Sequence, residues 1–496
     1  MLLAASYYLE PTPIFLVDTV MASLLTIPLE LLVAVSTHLS TPDLASLRLT
    51  CNQVERSLYK WFSQEFFTKK QFMLTHPSLQ TLVDISKHAG FSKRLKHVII
   101  ATNIYDVIPR RFRDEEAAIQ YRRGQHSQKR LNTGLGRDML IEAFKNLPNL
   151  HTVGIRDFNA PSRVRDGNNA SWTSWGATTV LNETGMHLSF SDRVAYDCDD
   201  HLSRIFYIVS DALGTAGRFP PELEVLLRRD GLPDSALDLP EYVLPILEPV
   251  LMNFTSLLLS INLSITPIDT NDTGIALDTP AGRSLREFLN YTPNLSRLRL
   301  NFRKSVVKNN AQFLDWLSLP VPGLTKRSTN YMSPPPVSLS LLQKLELGQL
   351  KVLPDTLLAI FAKFAPSLRS ISLWRMALYS QAAPPHGHKP NFWAQLFRDM
   401  AQIPHLDLAH IKVGLLQQDH AFSTSMYVNF TGEESSDGPG LKQVEHSGPD
   451  TAKFLDALIE RVKVEWIEQV MISIGGEDSE VSMYGEDDDE EDEEDE

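Results

Sequence analysis

From residue 25 onward the apolar positions of the chain fall into three short stripes. Leu31, Leu32, Val35 and Leu39 recur at helical spacing. Ile27 and Pro28 open that stretch, since a proline in the first turn of a helix forfeits no intrahelical hydrogen bond. Thr41 before Pro42 is a start signal for a second helix carrying Leu44 and Leu47. Cys51, Val54, Leu58, Trp61 and Phe62 make a third stripe. The spacing therefore predicts three short helices over 23–66. So small a module makes a poor core alone, which leaves part of its apolar surface for a partner.

A different pattern follows. An apolar triplet at offsets 0, +3 and +5 appears as Leu95/Val98/Ile100, Leu150/Val153/Ile155 and Phe254/Leu257/Leu259, then as Leu295/Leu298/Leu300, Leu342/Leu345/Leu347 and Leu368/Ile371/Leu373. The last two members of each alternate as a short strand does. Helical stripes precede several of them and stop at a proline: Leu140 to Leu147 before Pro148, Leu285 to Leu289 before Pro293, Leu357 to Phe364 before Pro366, and Leu396 to Ile403 before Pro404. The residue before proline is pushed out of the helical region, so each helix ends there and the chain turns into a strand. Repeated helix, turn and strand is leucine-rich-repeat logic, with strands stacked into one parallel sheet and helices on its other face. Triplets start at 95, 150, 254, 295, 342 and 368, and only the last interval falls in the ordinary range of about 20–29 residues. Either inserted segments separate the units, or the domain is an irregular α/β fold with buried strands.

The three-stripe segment resembles the F-box, by which substrate receptors dock on the Skp-family adaptor of cullin-based ubiquitin ligases. Ile27, Pro28, Glu30, Leu31, Val35, Leu39, Asp43, Leu44, Leu47, Leu49 and Cys51 occupy the places of the family pattern. Thr50, Asn52 and Val54 depart from it, all at the start of the third helix. The alternative is an ordinary helical hairpin with leucines in its core. The resemblance implies that Pro28, Leu31, Leu32, Val35, Leu39, Leu44 and Leu47 bind the adaptor. Together the two halves resemble the F-box proteins with irregular leucine-rich repeats that are numerous in filamentous fungi. The expected class is α/β: a disordered extension over 1–22, the F-box over 23–66, a repeat-like substrate-binding domain over 67–475 with inserted loops, and a disordered acidic tail over 476–496. The implied role is non-enzymatic, a substrate receptor bound to the adaptor and cullin complex and to a protein substrate, raising the local concentration of that substrate. A protein-interaction scaffold without ligase coupling is the second reading.

Length changes the picture little: 496 residues exceed one compact core, and 43% hydrophobic content suffices for an interior. The net charge of −14 is more telling, because fourteen carboxylates lie between Glu477 and Glu496 with no lysine or arginine. The remaining acids match the 47 basic residues, so the body carries no global field for nucleic acid. The run from Glu486 to Glu496 repels itself and stays solvated. It serves solubility or pairs with basic residues elsewhere. Cys51 and Cys198 cannot make a disulfide framework, which suits the reducing cytoplasm or nucleus. No apolar run reaches the roughly 18 residues of a membrane span.

Catalytic signatures are absent: no Gly-x-Ser-x-Gly, no phosphate-binding glycine loop, no His-Glu-x-x-His and no Cys-x-x-Cys. Gly134-Leu135-Gly136 reads as a turn, and His386 with His388 as part of a loop, so neither cofactor nor metal is expected. Residues 109–137 are rich in arginine. Arg110, Arg111, Arg113, Arg122 and Arg123 are candidates for holding an anion, against a solvated, locally balanced insertion. Residues 159–178 read as a loop, Ser333 to Pro336 as a stiff connector, and a helix from Thr451 as a cap on the sheet edge.

Overall fold

The computed structural model describes residues 24–105, 111–160, 164–167, 172–190, 198–263, 280–303, 307–321, 333–381, 389–420, 425–432 and 440–466. The proposed extension, the acidic tail, Arg110, His386 and His388 lie outside them.

Helices α1 (Leu29–Thr37), α2 (Thr41–Leu49) and α3 (Asn52–Phe67) form an N-terminal module. The Pro28 carbonyl accepts the Leu32 N–H, so the proline sits where its own missing N–H costs nothing. Ser40 caps α2, its hydroxyl oxygen accepting the Asp43 N–H at 3.2 Å. Leu32, Leu44, Val54, Leu58 and Phe66 meet in a core belonging to this module alone.

The rest of the chain supplies, in order, β1 (Lys69–Met73), β2 (His97–Ala101), β3 (Thr152–Arg156), β4 (Glu222–Leu226), β5 (Leu232–Pro233), β6 (Ser256–Asn262), β7 (Arg297–Phe302), β8 (Lys344–Gly348), β9 (Lys351–Val352), β10 (Ser370–Trp374), β11 (Ala377–Ser380), β12 (His410–Gly414), β13 (Leu416–His420), β14 (Met426–Phe430), β15 (Gln443–Ser447) and β16 (Val462–Val464). Between them run α4 (His76–Lys87), α5 (Glu115–Arg130), α6 (Gly136–Lys145), α7 (Ala177–Thr184), α8 (Cys198–Ala216), α9 (Leu244–Asn253), α10 (Arg283–Asn290), α11 (Val307–Ser318), α12 (Pro354–Phe364), α13 (Phe392–Met400) and α14 (Thr451–Arg461).

The main sheet follows chain order, β1-β2-β3-β4-β6-β7-β8-β10-β12-β15, with β5 beside β6. Its pairings are parallel up to β12, and β15 closes it antiparallel. This is an α/β solenoid of leucine-rich-repeat type. The register explains the triplets: Val98, Val153, Leu223, Leu257, Leu298, Leu345, Ile371 and Ile411 stand opposite one another in one buried row. Because side chains alternate along a strand, the next row inward, from Ile100 to Val413, is buried as well, and the positions between them point away from the helices. No unit buries much alone; stacked, they share one apolar core running from Phe72 to Val462. The helices α6, α10, α12 and α13 each end ahead of the proline expected to stop them.

A second sheet, β16-β14-β13-β11-β9, grows from chain that directly follows β8, β10 and β12. Helix α14 packs on α13 and extends the helical layer; β15, not this helix, forms the far edge of the main sheet. The arginine-rich insertion is likewise no plain solvated loop. Asp114 caps α5, accepting the Ala117 N–H at 2.8 Å, and the helix buries Ala117, Tyr121 and Gln128 against Tyr105, Met73 and α7. Gly134, at φ 117°, lets the chain turn from α5 into α6 in a conformation other residues avoid.

Candidate docking site

Residues 164–176 contain the most consequential departure from the expected loop. Val164–Asp166 forms a short helical turn that reaches into the N-terminal module. The Asp166 carboxylate accepts the Thr41 N–H and the Thr41 hydroxyl, each at 2.7 Å, at the start of α2. An anion there meets unpaired amides and the positive end of the helix. Arg165, almost fully buried, lies over the rings of Trp61 and Phe66, pairs with Glu65 at 3.6 Å and donates to the Ser36 carbonyl at the end of α1. One turn thus grips all three helices. Beyond it, the Trp175 N–H donates to the Gln71 carbonyl at 2.8 Å, pairing alongside β1 at the sheet's first edge. Phe67 at the end of α3 stacks on Phe91 with centroids 4.0 Å apart. The module is fastened to the solenoid by packing, charge and hydrogen bonds together.

Held this way, the module turns an apolar surface to solvent. Leu31 is 57% exposed, Val35 51% and Leu49 86%, with Pro28, Leu29, Leu24 and Leu25 also open. Pro28, Leu31 and Val35 share one face of α1 at spacings of three and four. Leu39 and Leu47 are half-buried against the module core. Leu32 and Leu44, at 4% and 0% exposure, are inside that core, which corrects their expected place on the surface: a residue with no solvent contact stabilises the module and cannot touch a partner. Leu24, Leu25 and Leu29 lie outside the set the resemblance implies, and Leu49 belongs to its pattern but not to that set. Leu49 is apolar at the last position of α2, where the chain's burial pattern has already turned outward.

The arginine candidates do not converge on a built site. Arg111 and Arg113 precede α5, and Arg113 pairs with its neighbour Asp114 at 2.9 Å. Arg122 and Arg123 stand on the solvent face of α5.

The other open surface is the sheet face away from the helices. It is charged and cross-linked between strands. Glu224 accepts from Arg156 at 3.0 Å and faces His97 at 3.4 Å. Burial works to raise its pKa, but the close approach of the His97 ring and the charges of His97 and Arg156 outweigh it and hold the carboxyl at about 2. Burial pushes the His97 imidazole down, which leaves Arg156 as the permanent cation at neutral pH. Farther along, Glu346 lies between Arg297 at 3.2 Å and Lys344 at 2.6 Å. Burial opposes its ionisation, yet Arg297, Lys344 and Arg299 keep its pKa below the ordinary value. Near the last strands Trp374 lies across Gly414, where a Cβ would sit 2.2 Å from the indole, and Lys412 is 5.6 Å from the same ring.

Ser370, His410 and Glu445 form a chain of hydrogen bonds, 2.9 Å from the serine oxygen to Nδ1 and 2.8 Å from Nε2 to the carboxylate. A nucleophile, base and carboxylate would need donors for an oxyanion. The Ser370 N–H is already bonded to Gln343 and the His410 N–H to Arg369, as the ladder of a sheet requires, so the trio is a cross-strand link. Among the described residues no group of three or more His, Cys, Asp and Glu is arranged to hold a metal ion, and no helix is long and apolar enough to cross a membrane.

No family model matches the chain. No curated protein matches it either. Among solved structures, the leucine-rich repeat-containing protein LegL7 from Legionella pneumophila is similar at 12% identity, over 72% of this chain and 92% of that one, with a TM-score of 0.24. The Rad7 and Elc1 complex in yeast is similar at 12% identity, over 79% of this chain and 87% of that one, with a TM-score of 0.21. Likeness at this level leaves the function to be argued from the chain itself.

Proposed function

We propose that this chain is the substrate-recognition subunit of a Skp–cullin–F-box ubiquitin ligase, docking on the adaptor through its N-terminal module and on a protein substrate through the solenoid. The observation that carries the reading is the apolar surface of α1. Pro28, Leu31 and Val35 face solvent on a module whose own core is already filled by other side chains. Covering a fully exposed leucine or valine is worth about 1.5–3 kcal/mol, and Leu31 and Val35 each keep about half of their surface open, so several such side chains together anchor an interface. The clamp at 164–166 supports the same reading, since a receptor has to hold its docking module and its substrate domain in a fixed relation. In this role the chain supplies proximity, and the ligation chemistry belongs to other subunits.

Affinity capture with a Skp-family adaptor tests the proposal. The intact chain is retained, and Leu31→Asp with Val35→Asp is not, while far-UV circular dichroism of the double variant stays unchanged. Failure of the intact chain to bind removes the ligase role and leaves the second reading, an interaction scaffold without ligase coupling. That reading draws on Asn52 and Val54, which depart from the F-box pattern at the start of α3.

A further inference from the structure

The far edge of the main sheet ends in backbone groups whose direction the pairing of β15 fixes. Leu415 donates its N–H to the Lys442 carbonyl at 2.9 Å, and Gly448 donates to the Ala409 carbonyl at 2.9 Å. The even-numbered residues of β15 therefore turn their amides and carbonyls toward β12, and the odd-numbered ones turn theirs outward. Leu441, just ahead of β15, already uses the outer side. It exchanges two hydrogen bonds with Phe430 of β14, at 2.9 and 2.8 Å, in antiparallel sense. Gln443, Glu445 and Ser447 continue that outward row. All three are exposed, and among the described residues no strand lies beyond β15.

The two faces beside this row differ in chemistry. Toward the helices, Val444 is 9% exposed opposite Val413, and the His446 ring stacks on Phe454 of α14 with centroids 4.6 Å apart. A strand added here extends the apolar layer of the sheet, so its residues opposite Val444 and His446 belong in that layer. Toward the open face, Glu445 keeps 46% of its side chain exposed, although His410 and Lys412 approach its carboxylate from β12 at 2.8 and 3.6 Å. The His410 contact holds the carboxyl below the usual carboxylate range, so it is ionised at neutral pH. A carboxylate offers about four lone-pair sites, which leaves its outer side for another cation. Alternation along a strand then selects a segment in which one basic residue stands between two apolar ones. A second copy of this chain fits less well. Two β15 strands paired about a two-fold axis through the whole row place Glu445 opposite Glu445, and like charges directly opposite repel.

We propose that the outer edge of β15 binds an extended segment of a partner protein, added antiparallel as one more strand through the backbone of Gln443, Glu445 and Ser447, with a basic residue opposite Glu445 and an apolar residue on either side of it. This inference does not depend on the module's docking partner.

Fluorescence polarisation of the full chain with the labelled, end-blocked peptide Thr-Val-Lys-Val-Thr tests it. Saturable binding is expected. N-methylation of the lysine amide, which faces Glu445 in this pairing, weakens it about fivefold or more through the lost hydrogen bond. N-methylation of the valine amides, which face away from β15, leaves the affinity within about twofold. Ser447→Pro also weakens binding about fivefold with far-UV circular dichroism unchanged, because the Ser447 N–H points outward and proline is accepted at such an edge position. Glu445→Gln weakens the lysine peptide about threefold and leaves Thr-Val-Gln-Val-Thr unaffected. No saturable binding up to about 1 mM peptide, equal losses from the two methylation patterns, or a chain dimer in size-exclusion chromatography that Ser447→Pro dissociates would each overturn the proposal.

Discussion

Leu31 and Leu32 are consecutive leucines on one helix with opposite surroundings, a turn of about 100° separating a solvent-facing side chain from a core one. Their truncations should therefore separate binding from folding, and Leu44 makes the contrast sharper. Leu44→Ala is expected to cost about 2–5 kcal/mol of module stability, the range for a fully buried leucine. Leu31→Ala should stay within about 0.5 kcal/mol in urea unfolding while weakening adaptor capture. Gly414 offers a second residue-level test: with Trp374 2.2 Å from an added Cβ, Gly414→Ala forces the indole aside, at about 1–3 kcal/mol. Glu224 gives a pH dependence. Its folded pKa, about 2, lies below the ordinary 4.5, so its ionised form stabilises the fold fully above pH 4.5 and loses that contribution as pH falls toward 2. The gap in urea midpoint between the wild type and Glu224→Gln should be full just above pH 4.5 and shrink as pH falls toward 2.

At the scale of elements, the strands were the most legible part of the chain. The last two members of all six triplets lie in strands of the main sheet and the first just ahead of each, because a parallel strand buried on one face must show apolar residues two apart. Leu408, Ile411 and Val413 repeat the same offsets in β12 and could have been found by that rule; in β4 the leading position is Pro220, which disguises the unit. The clamp was not legible. Asp166 and Arg165 act on residues more than a hundred positions away, and a polar stretch rich in glycine and asparagine gives no sign of which helix it will meet. Nor does spacing alone decide which apolar stripe of a small module faces its own core, which is why Leu32 and Leu44 were expected outside. The clamp carries its own prediction. Asp166→Ala strands the Thr41 N–H and hydroxyl and should cost about 1–2 kcal/mol. Hydrogen exchange should then quicken in α2 while the strands of the solenoid keep their protection.

In the molecule as a whole, the two largest cores among the described residues are of unequal extent, a module core of five buried residues and one continuous apolar interior from Phe72 to Val462, with a small third cluster about Met73, Tyr105, Tyr121 and Val180. They should fail separately. Leu58→Asp places a charge in the smaller core and is expected to melt α1 to α3, seen as fast exchange over residues 29–67, with the solenoid's thermal transition kept. Between the two cores stands the segment that holds Thr41 at one end and lines β1 at the other. Parallel sheets expose an unpaired row of amides at each edge, and such a row invites pairing with another molecule. Trp175 uses part of that row at β1. A change at Arg165 or Asp166 therefore loosens the module, whereas a change at Trp175 bares part of a β-edge. Variants at Trp175 should show first as precipitation through the bared edge, and variants at Asp166 first as a loosened module.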